Sequence, residues 1–148
     1  MTAAAELGIN VDLDLDAATA ELRVREALAV EGFGVLTEID VQKTLQTKLG
    51  INMPAYRILG ACNPSLAHRG ISADPTVGML LPCNVVVRAI AGGTRVEFAD
   101  PIRMLDLIDN PTLHEVAVEA RERLVRVAGA IAAYQPGRGT DPRAADAR

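Results

Sequence analysis

The chain has 148 residues, 15 of them basic and 19 acidic for a net charge of −4, with two cysteines, two histidines, two tyrosines, two phenylalanines and no tryptophan. At this length one domain buries ~70% of the surface its unfolded chain exposes, so a core forms without disulfide staples. The acidic balance and the lack of a Lys/Arg run exclude a phosphate-backbone surface, so nucleic acid is not an expected partner.

The N-terminal residues Met1 to Glu6 carry neither a basic segment nor an apolar one, and no apolar run approaches the ~20 residues of a membrane span. The expectation is a cytoplasmic protein with no membrane partner, in which the cysteines stay reduced.

Leu7, Ile9, Val11, Leu13 and Leu15 alternate with polar residues and glycine, the period of a strand with one wet face. Asp16 then caps a helix over about residues 17 to 31, with Ala17, Ala20, Val24, Ala27 and Leu28 on one face and Gly32 as its stop. Phe33 to Ile39 reads as a second strand. Asp40 caps a helix through Leu45 that ends at Gly50. Tyr56 to Ala61 is a third strand, closed by Asn63-Pro64, where Asn is a strong N-cap and Pro a favoured first helical residue.

A short helix through Leu66 and His68 follows, then a turn at Ala73-Asp74-Pro75. Met79 to Ile90 and Thr94 to Phe98 flank a Gly92-Gly93 pair, which predicts a two-residue hairpin loop with Ala91 opposite Thr94. That register sets Arg88 against Glu97 and Val87 against Phe98, and Cys83 falls on the apolar side with Val85 and Val87. Pro82 cannot donate to a ladder and belongs at an edge, a bulge or the start of pairing. After Asp100-Pro101 a short helix holds Ile102 and Leu105, and Asn110-Pro111 opens a long one to about residue 133. Leu113, Val116, Ala117, Ala120, Leu124, Val127 and Ile131 form its buried stripe, with Glu119/Arg123 and Glu122/Arg126 on the wet side.

The expected fold is therefore α+β: a single two-layer domain over residues 1–134, with one mixed or antiparallel sheet covered by helices. Residues 135–148 hold Gly, Pro and charge with little to bury, and are expected to be a disordered polar tail.

Chemistry concentrates in two similar segments, Cys62-Asn63-Pro64 and Pro82-Cys83-Asn84. A thiol at a helix start is favoured as thiolate by the partial positive charge there. Cys62, Cys83 and His68 would make a three-ligand site for a soft ion such as Cu(I), or for zinc with an open position. Against this, free Cys is a small hydrophobe often found in cores, and the spacing matches no close-set zinc pair. His114, in the first turn of the long helix, suits a plain exposed or a hydrogen-bonding role rather than catalysis. The Asn10 to Asp16 carboxylates fail as a calcium loop, since Leu15 or Ala17 stands where Gly is required. Gly92-Gly93 has no helix after it and is no phosphate cradle.

Four blocks in order, "GFGVLTEIDV" (32–41), "YRILGACNPSLAHR" (56–69), "LLPCNVVV" (80–87) and the segment from Asp100-Pro101 to Asn110-Pro111, make the chain resemble the family called domain of unknown function 302 over roughly residues 5–133. The resemblance implies a compact α+β domain, commonly a homodimer, and no established reaction. Its matching positions are Cys62, Asn63, Pro64, Pro82, Cys83 and Asn84. Ser65 departs from it where many relatives carry a second proline.

Three functions follow, in order of preference. The first is a homodimeric binding domain holding a small ligand or soft metal ion near Cys62, Asn63, Pro64, Cys83 and Asn84. The second is a structural or protein-interaction module with packed cysteines, and the third a thiol enzyme using Cys62. The fold itself requires no cofactor, and the ligand is unnamed by the residues.

Overall fold

In the computed structural model, which describes residues 7–134, alternation along Gly8–Leu13 makes strand β1. Helix α1 (Ala17–Val30) is capped by Asp16, whose carboxylate accepts the Thr19 N–H at 2.7 Å, and buries Ala20, Val24 and Leu28. β2 (Gly34–Asp40), α2 (Val41–Leu49), β3 (Tyr56–Cys62) and α3 (Pro64–Ala73) follow. A 3-10 turn (Pro75–Leu80), β4 (Cys83–Ile90), β5 (Gly93–Ala99), α4 (Pro101–Leu105) and α5 (Pro111–Ala132) complete the described residues. The expected tail lies outside them.

The strands form one antiparallel sheet in the order β1-β5-β4-β3-β2. α1 and α5 lie against it and against each other. Their buried faces meet Leu59, Val85, Val87, Val96 and Phe98 in the main core, to which α5 contributes Leu124, Val127 and Ile131. A second cluster joins Leu66 of α3, Val77 of the 3-10 turn, Leu105 of α4 and Leu113, Val116, Ala117 and Ala120 of α5. Two cores therefore adjoin along α5.

Two sequence expectations are corrected. The strand expected from Met79 starts only at Cys83, because Asp74 accepts the Thr76 N–H at 2.9 Å and restarts helical winding at Pro75. That turn buries Val77 and leaves Met79 86% exposed.

The hairpin register is also displaced by two residues. Ile90 pairs with Gly93, so the loop is Ala91-Gly92, and Val87 faces Val96 rather than Phe98. Gly92 takes the positive φ of 82°. Gly93 serves a different need, since a Cβ there would lie 2.1 Å from the Leu13 carbonyl oxygen. A shift of two preserves which face each side chain takes, so the apolar set stays inside. Arg88 now stands opposite Arg95, and the like charges are separated by partners: Arg88 donates to Glu97 at 2.6 Å and Arg95 to both oxygens of Asp12 at 2.7 and 3.0 Å.

On the long helix Arg123 reaches Glu119 at 3.4 Å, as its spacing suggests. Arg126 instead pairs with Glu31, at 2.9 Å, beyond the end of α1.

Candidate functional site

The site begins with the pairing of β3 and β4, which sets Ala61 directly opposite Cys83 and brings Cys62 to the next position along. Both strands change course here, β3 into the α3 cap and β4 out of Pro82. Asn63 holds the junction: its Oδ1 accepts the Leu66 N–H at 3.2 Å and its Nδ2 donates to the Glu31 carbonyl oxygen at 3.3 Å. Arg123 of α5 donates to that same carbonyl at 3.1 Å. Pro64 follows as the first residue of α3, where a missing N–H costs nothing.

Cys62 and Cys83 both line one hollow of about 40 Å³. It lies on the seam between the two cores, with Phe33 and Ala61 from the first and Leu66, Val77, Leu105 and Val116 from the second. Its wall is carbon and sulfur almost throughout. The cysteines are unbridged and half-buried. Burial pushes the Cys83 thiol up to about 11, and the neighbouring Cys62 adds to the rise, because a thiolate there would lose hydration beside a second potential anion. Cys83 thus stands in this wall as a neutral thiol at physiological pH.

Asn84 is exposed, next to Cys83 but outside the small hollow. It lines two wider ones, of about 210 and 340 Å³, on the outer side of the segment from Leu81 to Asn84.

Of the three candidate ligands, the hollow brings together Cys62 and Cys83 and not His68. His68 lies on the exposed side of α3 and does not line the hollow, because the inward face of that short helix is taken by Leu66, Ala67 and Gly70. Among the described residues no three His, Cys, Asp or Glu side chains are grouped to hold a metal ion. Two sulfurs with apolar neighbours lack the third donor that zinc uses. His114 is exposed, with Nδ1 2.9 Å from Asp106 Oδ1.

Sequence reading missed the far wall of the hollow. Val116 and Ala120 were legible as a buried stripe, but nothing local marks which part of a stripe faces a gap. Pro101 and Leu105 reach the site because the Asp100 carboxylate accepts the Ile102 N–H at 2.9 Å and turns α4 inward at the end of β5. No helix in the described residues is long and apolar enough to cross a membrane.

A family model described as "Domain of unknown function DUF302" matches residues 9–131. Among solved structures, one similar to this chain is the uncharacterized conserved protein DUF302 from Bacillus stearothermophilus, 31% identical, with a TM-score of 0.79 over 84% of this chain and 98% of that one. Among curated proteins none matches.

Proposed function

The chain belongs to the DUF302 family, and from that premise we propose that it is a cytoplasmic, homodimeric binding domain whose hollow between Cys62 and Cys83 receives a small apolar molecule. One observation carries this reading: two thiols from the ends of neighbouring strands share a single, almost wholly apolar hollow at the seam of two cores. Apolar hollows with few polar groups are the usual form of small-molecule sites. A neutral Cys83 favours a wall over a nucleophile, since nucleophilic work needs thiolate.

A second copy is best received at β2. This strand lies at the sheet edge, and its Leu36 and Ile39 are 68% and 50% exposed. A register shift between Val35 and Thr37 leaves Leu36 unpaired, which suits side-chain packing between copies more than a continued ladder.

The test is alkylation of the two thiols by iodoacetamide, followed by mass spectrometry, with and without 1-butanol as a probe. Protection of Cys62 and Cys83 by the probe supports the reading. Two thiols that resist alkylation in the native protein, with no probe bound by calorimetry, would leave packing as their role. A Cys62 reaction rate that already reaches its plateau below neutral pH would favour the thiol enzyme instead. Stoichiometric Cu(I) held by both sulfurs would favour the soft-ion form of the site.

A further inference from the structure

The small hollow does not stand alone. It shares Leu81, Pro82, Cys83, Pro101 and Leu105 with the 210 Å³ hollow beside it. That hollow in turn shares Asn84, Ala99 and Met104 with the 340 Å³ hollow on the sheet face opposite α1 and α5. The three adjoin in a row, the smallest at the cysteines and the largest outermost. The inner hollow is carbon and sulfur, and the widest is still mostly apolar but adds the polar side chains of Asn84, Asn10, Tyr56 and Glu97.

Resting on the reading above, we propose that the three hollows join as one track and that its ligand is an elongated, mostly aliphatic molecule with an uncharged hydrogen-bonding head, its tail ending against the cysteines and its head among Asn84, Asn10 and Tyr56.

Three features select that class. The inner 40 Å³ has room for about three water-sized groups, enough for the end of a chain and too little for a ring system. The outer end offers amide and phenol groups that donate and accept, which suits an alcohol or amide. A carboxylate head would meet Glu97, whose cationic partner Arg88 is already engaged at 2.6 Å. Among the described residues no cation lines the wide end to receive it.

The experiment measures binding of 1-butanol, 1-hexanol, 1-octanol and 1-decanol to the intact chain by calorimetry. Emission of Tyr56 in a Tyr134→Phe background reports occupancy of the wide end, since these are the two tyrosines. Affinity should rise about fourfold per added methylene until the track is full. Decanoate should bind at least about tenfold more weakly than 1-decanol, one such charge mismatch in a partly dry site. Asn84→Trp, at an exposed strand position, should abolish the gain from the longer chains, and Met104→Trp provides a second block from α4.

A butanol that binds and protects the thiols while longer chains gain nothing would overturn the elongated ligand and leave the binding domain standing. Equal affinity for decanoate and decanol would overturn the uncharged head. Failure of every alcohol to bind or protect would remove both proposals together.

Discussion

The Asn63 side chain donates to the carbonyl oxygen of Glu31, 32 positions earlier in the chain, while its own Oδ1 caps α3. One amide thus ties the end of α1 to the start of α3 beside Cys62. Asn63→Ala removes the cap and the tie, and should lower the unfolding free energy by about 1–2 kcal/mol. Asn63→Asp keeps an acceptor for the Leu66 N–H and loses only the donor to Glu31, whose carbonyl still receives Arg123. It should cost about 1 kcal/mol in urea titrations. No loss in Asn63→Asp would show that the tie contributes nothing, and equal losses that the cap contributes nothing.

Cys83 gives the protein a pH dependence with a definite sign. Its folded value of about 11 stands above the ordinary 9.0, so the native state holds that proton more tightly than the unfolded chain. The stabilisation is whole below pH 9 and declines as pH rises from 9 through 11. Its full size is about 2–3 kcal/mol. Urea titrations at pH 8, 9.5 and 10.5 should show wild type losing stability faster than Cys83→Ala, in which this contribution is missing. Parallel curves would place the thiol in contact with water.

The two glycines of the hairpin should respond differently. Gly93→Ala forces a Cβ into the Leu13 carbonyl and must part β1 from β5, at about 3 kcal/mol. Gly92→Ala meets no atom within 4 Å and suffers only its positive φ, about 1–2 kcal/mol. Denaturation midpoints rank them. The reverse order would contradict the Ile90–Gly93 pairing.

Leu36→Lys and Ile39→Lys test the edge proposed for the second copy. Each adds a charge to an already exposed position, so stability should change by less than about 0.5 kcal/mol. The mass by light scattering should fall by half in either variant. An unchanged dimer would move the interface elsewhere.

Local chemistry made much of this fold legible. Asp16, Asp40, Asn63 and Asn110 each cap the helix that their sequence announces, because a cap needs only a few neighbouring residues. The α5 stripe was legible for the same reason, as a periodicity over 22 residues. Short apolar stretches were not: six residues from Pro75 to Leu80 are too few to separate a strand from a 3-10 turn. The hairpin register failed because two adjacent glycines fit one turn in more than one way, and the choice rests on how closely β1 approaches. The hollow was beyond reach in principle. Its walls come from strand pairing and from the meeting of two cores, which residues near Cys62 and Cys83 do not encode.

The sheet order has a consequence for synthesis. Among the described strands β1 comes first in the chain, yet its one partner there is β5, and Asp12 waits for an arginine 83 residues downstream. At translation rates of about 5–20 residues per second, that interval lasts seconds, during which the nascent segment has no ladder to join. Such distant contacts also slow folding in general. An early-emerging strand of this kind stays without a neighbour until the hairpin that carries β5 has been made.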